Sequence, residues 1–125
     1  MTSSNITPIR EMTYVIDLDH TLCVPNANTH DSYERYALAK PIPEMISYVR
    51  RLYRDGHTII IHTARRMLTH KGDLEAIEAD VGNITRGWLF THGVPHHQLI
   101  FGKPYGDFYV DDKALNVKDV KHYDD

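Results

Sequence analysis

The sequence predicts a single α/β domain, residues 1–125, built around a Rossmann-like, doubly wound and mainly parallel sheet. A length of 125 residues fits one domain. The hydrophobic share of 42% and the charged share of 25% are typical of a globular chain that buries a core without disulfides or a structural metal. Strand-like and helical segments alternate along the chain, which favours right-handed crossovers between parallel strands. Ligands of such folds bind beyond the carboxyl ends of the strands.

The first half of the chain predicts a lead-in, a strand, a flap and a helix. Residues 1–11 are polar and predict a flexible lead-in, and the apolar residues 12–16 predict a buried strand. Residues 20–40 are polar and contain proline and asparagine breakers, which predicts a loop or short flap. Apolar positions at spacings of three and four then predict a helix over 41–56, with proline at its start and glycine at its end.

The second half predicts a second strand, a long helix and two short strands. Residues 57–62 predict a buried strand with a continuous apolar run at 59–61 rather than an alternating pattern, as expected where helices cover both faces of a parallel sheet. An apolar stripe predicts a helix over 73–90, which Gly82 would kink. Residues 98–101 and 108–110 predict the last two strands. The expected order is therefore β-α-β-α-β-β.

Charge and cysteine content limit the possible partners. Fourteen lysines and arginines against 17 acidic residues give a net charge of −3, without clusters of basic residues, which argues against a broad contact with nucleic acid. The single cysteine, Cys23, and a polar N-terminus predict a cytoplasmic protein. The longest aliphatic run, 59–61, is far shorter than the roughly 20 residues of a membrane span. We therefore expect a small partner and no membrane.

Polar residues with oxygen or cationic groups follow the predicted strands. They are Asp17, Asp19, Thr21, Thr63, Lys103, Asp111 and Asp112. Four carboxylates at one edge of a sheet would repel one another and raise their pKa values unless a divalent cation neutralised them, and hard oxygen ligands select Mg²⁺. A threonine hydroxyl and a lysine ammonium complement phosphoryl oxygens. The set predicts a phosphate site that uses Mg²⁺.

Four motifs, in this order and spacing, resemble those of the haloacid dehalogenase superfamily of phosphotransferases. They are residues 14–21, YVIDLDHT; 62–65, HTAR; 102–104, GKP; and 109–112, YVDD. The resemblance covers the chain from Tyr14 to about Asn116. The Lys-Pro and Asp-Asp-Lys contexts are most similar to the small branch without a cap domain that is labelled capsule or polysaccharide biosynthesis phosphatases.

The resemblance implies Mg²⁺-dependent hydrolysis of phosphate monoesters through an aspartyl-phosphate. Asp17 would be the nucleophile, and Asp19 would protonate the leaving group and then take a proton from water. The implied residues that bind the phosphoryl group or substrate are Thr21, Thr63, the Ala64 amide and Lys103. The implied Mg²⁺ ligands are Asp17, the backbone carbonyl of Asp19, Asp111 and, directly or through a bound water, Asp112.

The intervals between the motifs are too short for a cap domain, which predicts an open site. An open site cannot enclose a small leaving group, so selectivity must come from the flap, from a neighbouring subunit or from a large substrate. The residues expected to contact the leaving group are Tyr33, Arg35, Tyr36 and Arg65. The expected substrate is a phosphorylated sugar of surface-polysaccharide synthesis, and a homo-oligomer is a further expectation.

Two alternative functions carry similar residues. A phosphorylation-controlled receiver domain has its acid pair at the first strand and its phosphoacceptor at the third, whereas here Asp17 and Asp19 come first and the Asp-Asp pair comes last. A nucleic-acid 3′-phosphatase shares these motifs, but the net charge and the absence of a basic stripe argue against it.

A zinc site at His92 and His96 is rejected because Gly93 between them interrupts a helix.

Overall fold

The computed structural model describes residues 10–120, so that all but the end of the predicted lead-in lies outside the described residues. The strands are β1 (Thr13–Ile16), β2 (Cys23–Val24), β3 (Lys40–Pro41), β4 (Thr58–Thr63) and β5 (Gln98–Phe101). The α-helices are α1 (Pro43–Arg54), α2 (Leu74–Ile77), α3 (Asn83–Thr91) and α4 (Val117–Val120). Two π-helical segments, Tyr33–Ala37 and Glu78–Gly82, complete the described elements.

The sheet at the centre of the molecule is parallel and has the strand order β1-β4-β5. Ile16 lies beside Ile61 in the first pair of strands, and Thr63 lies beside Phe101 in the second. Helix α1 connects β1 to β4, and α2 and α3 connect β4 to β5. The predicted α/β class is confirmed, and the architecture is consistent with a Rossmann-like fold of the haloacid dehalogenase kind, without a cap domain among residues 10–120.

Helix α1 covers the sheet with one apolar face. Pro43 occupies its first turn, where no backbone donor is needed, and Gly56 follows its end at φ 93°, a conformation that favours glycine. Val49 and Leu52 are buried against Ile61 of β4 in the main core cluster. This packing, rather than helix propensity alone, places the helix on the sheet.

The two faces of β4 are covered unequally. Ile59 and Ile61 are fully buried, whereas Ile60 and His62 are only partly buried. The prediction of a strand buried on both faces is therefore wrong for the second face. His62, on this less buried face, lines a cavity.

The prediction of a strand over residues 108–110 is wrong. Phe108 is 88% exposed and Val110 is 100% exposed, and β1 pairs with β4 alone among the described strands. The hydroxyl of Tyr109 donates to the carbonyl of Pro104 and accepts from the amide of Gly106, which folds the segment back on itself. An apolar run does not become a strand without a partner for its backbone.

Two further predicted segments are more irregular than expected. The predicted helix 73–90 is divided into α2, a π-helical segment ending at Gly82, and α3. The predicted flap 20–40 holds the antiparallel pair of β2 and β3 and the π-helical segment Tyr33–Ala37. Within residues 10–120, no helix combines the length and the apolar character that crossing a bilayer requires.

Candidate active site

A tight turn after β1 presents Asp17 and Asp19. Leu18 between them is fully buried, and its carbonyl accepts the amides of Leu22 and Cys23. His20 adopts φ 66°, a left-handed conformation that is uncommon for a residue with a side chain. Because Leu18 anchors the turn in the core, the carboxylates on either side of it remain partly exposed.

Lys103 lies opposite Asp17. Its Nζ is 3.6 Å from Asp17 Oδ1, and its backbone amide donates to the carbonyl of Thr63 at 3.1 Å. This backbone bond fixes the lysine at the carboxyl end of β4. Burial raises the pKa of Asp17, although the neighbouring Lys103 charge acts to lower it. Burial and the same lysine lower the pKa of His62.

Thr63 and Ala64 line a cavity of about 610 Å³ together with Asp17 and Asp19. Thr63 is 1% exposed, and its Oγ1 accepts the backbone amide of Arg65 at 3.0 Å. Carboxylates, a hydroxyl and a lysine thus surround the carboxyl ends of the strands. We call the cavity of about 610 Å³ the reaction cavity. Four residues expected to act on a phosphoryl group line it: Asp17, Asp19, Thr63 and Ala64.

Arg65 is one of the residues that line the reaction cavity, and its guanidinium group is turned toward Asp19. Its Nη2 is 2.8 Å and its Nε 3.1 Å from the two carboxylate oxygens of Asp19, and its side chain is completely buried. Nη1 donates to Thr85 Oγ1 at 2.9 Å. The expected contact of Arg65 with the leaving group stays a prediction. The arginine orients Asp19.

Cys23 lies next to this pair. Its Sγ is 3.4 Å from Asp19 Oδ1 and 3.6 Å from Arg65 Nη2. Burial, followed by the charge of Asp19, raises the pKa of the thiol to about 12. The thiol is therefore protonated at neutral pH and packs as a small apolar side chain.

The flap supplies one wall of the reaction cavity. Arg35 and Tyr36 line it, whereas Tyr33 is 60% exposed and lines neither of the two cavities described here. Tyr36 is itself buried, and the guanidinium carbon of Arg65 lies 4.2 Å from the centroid of its ring. Two of the three expected flap contacts are thus at the site.

A second cavity, of about 520 Å³, opens on the other side of Asp17. Thr21, Lys103 and Asp111 line it with Asp17, and Asp112 does not. Within residues 10–120, no group of three His, Cys, Asp or Glu side chains is close enough to hold a metal ion. Asp17 and Asp111 nevertheless line one cavity, and the assignment of the Mg²⁺ ligands stays a prediction.

Several lining residues of the reaction cavity were not predicted as site residues, among them Arg66, Tyr105 and Tyr109. Arg66 is 9% exposed and follows Arg65 at φ 60°. Tyr105 and Tyr109 are more than half exposed and face the same cavity, with the Tyr109 ring centroid 4.3 Å from Lys103 Nζ. The position of Tyr105 two residues after Lys103 was the available signal.

No family model matches the chain. Its structure superimposes on the crystal structure of a target protein from Vibrio cholerae with a TM-score of 0.79 and 32% sequence identity. The match covers 90% of this chain and 89% of that chain. The two chains belong to one family. This family relationship extends over nearly the whole of both proteins.

More distant similarities concern parts of larger proteins. A Chlorobaculum tepidum protein named "Putative 5'(3')-deoxyribonucleotidase" is 27% identical over 110 residues, which cover 78% of this chain and 52% of that protein. The chain thus spans about half the length of this curated relative. Chains from two structures of the Pnkp1/Rnl/Hen1 complex, one described as an RNA repair complex, are 12% and 13% identical. The first match has a TM-score of 0.53 and covers 97% of this chain and 34% of that chain. The second has a TM-score of 0.54 and covers 87% of this chain and 35% of that chain. At these identities, the two matches show similarity of fold alone.

Proposed function

We propose that the chain is a phosphomonoester hydrolase that acts through an aspartyl-phosphate. The observation that supports this most directly is the Asp17–Lys103 pair at 3.6 Å, beside Asp19 and Thr63 at the carboxyl ends of parallel strands. A lysine next to a carboxylate keeps it ionised as a nucleophile and also attracts phosphoryl oxygens. The name of the Chlorobaculum tepidum relative supports a nucleotidase-like or phosphatase-like activity at this coarse level.

The proposed reaction has two steps. An oxygen of Asp17 attacks phosphorus, the bond from phosphorus to the leaving oxygen breaks, and Asp19 gives its proton to that oxygen. Water then attacks the aspartyl-phosphate, Asp19 takes a proton from the water, and the bond between Asp17 and phosphorus breaks to release phosphate. Lys103, Thr63 and the Ala64 amide would stabilise the charge that develops on the phosphoryl oxygens.

Mg²⁺ is part of the proposal as a cofactor that would neutralise carboxylate and phosphoryl charge when bound. Asp17 and Asp111 offer the hard oxygen ligands that Mg²⁺ prefers, and both line the second cavity. The described structure does not bring the complete ligand set together. The two steps above are accordingly assigned to the chain's own residues.

The leaving group has two candidate classes. A phosphorylated sugar of surface-polysaccharide synthesis is the class implied by the sequence resemblance. A nucleotide, free or at a nucleic-acid end, is favoured by the exposed rings of Tyr105 and Tyr109 on the reaction cavity, because aromatic rings stack on bases. It is also the class that the name of the curated relative indicates.

Steady-state hydrolysis tests the activity and the leaving group in turn. Turnover of p-nitrophenyl phosphate with Mg²⁺ is expected, and its absence with every substrate would contradict the proposal. Rates for sugar phosphates, nucleoside monophosphates and 3′-phosphorylated DNA ends then rank the classes. A receiver domain would retain its phosphate without turnover. Light scattering on the same preparation shows whether the chain forms the expected homo-oligomer, in which a neighbouring subunit could cover the site.

A further inference from the structure

The reaction cavity continues past the reacting residues to a basic wall at the flap. Arg35 and Arg66 line this wall. Their guanidinium carbons lie 5.7 Å and 5.1 Å from the ring centroid of Tyr36, and that of Arg65 lies 4.2 Å from the same centroid. Three cationic groups therefore surround one buried ring.

The carboxylates near this ring do not balance the three cations. Arg65 is paired with Asp19 at 2.8 Å, and Arg66 Nε lies 3.5 Å from Asp80 Oδ2. Arg35 forms no ion pair with a carboxylate in the part of the chain that the structure describes. One positive charge is left over on the wall of the cavity.

The wall also holds hydrogen-bond donors without acceptors. The Nε atoms of Arg35 and Arg66 are buried and form no hydrogen bond; Arg66 Nε has the Asp80 carboxylate at 3.5 Å, whereas Arg35 has no carboxylate partner in the described part of the chain. Other atoms anchor both side chains: Arg35 Nη1 donates to the carbonyl of Thr29 at 3.0 Å, and Arg66 Nη2 donates to the carbonyl of His30 at 2.7 Å. A buried donor without an acceptor is energetically unfavourable, so a ligand that offers acceptors to these guanidinium groups would be favoured.

We propose that this wall, formed by Arg35 and Arg66, binds a second phosphate group carried by the leaving group of the substrate. The inference rests on the proposed phosphatase function and narrows its substrate class to phosphomonoesters that bear a further phosphate. A guanidinium group presents paired donors that match phosphate oxygens. A leaving group with hydroxyls alone would leave the extra charge unmatched.

Isothermal titration of the full chain carrying Asp17→Asn tests binding separately from turnover. The ligands form matched pairs: 2′-deoxycytidine 3′,5′-bisphosphate against both monophosphates, and glucose 1,6-bisphosphate against glucose 1-phosphate. At least one bisphosphate should bind roughly tenfold more tightly than its monophosphates. A preference for the deoxycytidine bisphosphate alone identifies the leaving group as a nucleotide, and a preference for the glucose bisphosphate alone identifies it as a sugar.

Substitutions locate the second phosphate. Adding Arg35→Gln to the Asp17→Asn chain should remove the preference for the bisphosphate, and adding Arg35→Lys should retain part of it. The matched control is Arg54→Gln at the exposed end of α1, which should keep the full preference. Equal binding of all mono- and bisphosphates, or a preference unchanged by Arg35→Gln, would overturn the inference. Preference without hydrolysis by the unmodified chain would instead contradict the proposed function alone.

Discussion

Asp17 holds a negative charge in a partly buried position close to the Asp19 carboxylate. Burial raises the pKa of Asp17, so the folded chain binds the proton more tightly than the unfolded chain does. The contribution of this group to stability therefore falls as the pH rises from the ordinary value of 3.8 through the raised pKa.

We predict that Asp17→Asn lowers turnover by at least about a thousandfold without lowering stability at pH 7. The neutral amide removes both the nucleophile and the buried charge. Hydrolysis of p-nitrophenyl phosphate and thermal unfolding measure the two effects, with the exposed Asp107→Asn as the control for loss of one acidic charge. Retained turnover would contradict the assigned nucleophile.

Asp19 and Arg65 should show a common kinetic signature. We predict that Asp19→Asn slows alkyl phosphates by about a hundredfold or more but slows p-nitrophenyl phosphate much less, since only a poor leaving group needs a proton. Arg65→Gln should show the same pattern more weakly, and it should lower the free energy of unfolding by about 2 kcal/mol because the buried pair is broken. A uniform loss over both substrates would show that Asp19 does not transfer the proton.

Sequence reasoning located the groups at the strand ends but not the direction of every side chain. Asp17, Thr63 and Lys103 were predicted together because parallel strands deliver their carboxyl ends to one edge. Arg65 was expected to contact the leaving group, but its bond to Asp19, 46 residues away in the chain, could not be predicted from sequence. The assigned chemical roles of these residues stay predictions.

At the scale of elements, Asp80 connects the flap to the π-helical segment Glu78–Gly82. It accepts hydrogen bonds from Ser32 and from His70 Nε2, the latter at 2.8 Å, and lies 3.5 Å from Arg66 Nε. Burial acts to raise the pKa of Asp80, but the hydrogen bonds from Ser32 and His70 and the Arg66 charge bring it below its ordinary value of 3.8. The charged form therefore stabilises the fold above that pH.

We predict that Asp80→Asn lowers the free energy of unfolding by about 1 kcal/mol at pH 5 and above. The difference between the two proteins should shrink as the pH falls below 3.8, since the carboxylate then becomes protonated in the unmodified chain too. Denaturant unfolding at pH 5 and near pH 3 measures it, and exposed Glu44→Gln is the control. A difference independent of pH would exclude a contribution from this charge.

The positions of most elements follow from apolar periodicity, and the exceptions have local causes. Helix α1 and strands β1, β4 and β5 match the predicted segments. Helix α1 and β4 bury a regular apolar face, whereas β1, predicted as buried, buries Ile16 but leaves Val15 61% exposed, and the residues of β5 are at most partly buried. The segment 108–110 shows the same apolar character, but the hydroxyl of Tyr109 donates to the carbonyl of Pro104 in its own loop, and β1 has no second partner among the described strands. The π-helical segments were not predicted because their extra residue per turn leaves no simple sequence period.

For the whole molecule, the arrangement of acids predicts dependence on a divalent cation. We predict that EDTA stops turnover and that Mg²⁺ restores it, while Ca²⁺ restores it poorly because it prefers higher coordination and looser geometry. Rates before and after chelation, with each ion added back in turn, measure this. Full activity in EDTA would contradict the cofactor assignment, and equal rescue by Zn²⁺ would favour a histidine site.

The chain has a single tryptophan, Trp88 of α3. It is an intrinsic fluorophore that lies at the contact between α3 and the end of the flap. Its ring is 3% exposed, and its Nε1 donates at 2.9 Å to the carbonyl of Ala39, where the flap rejoins the body just before α1. Separation of the flap from α3 would transfer the indole to water and shift its emission to longer wavelength. The fluorescence spectrum of the unlabelled protein thus reports whether the flap remains docked when a ligand fills the reaction cavity.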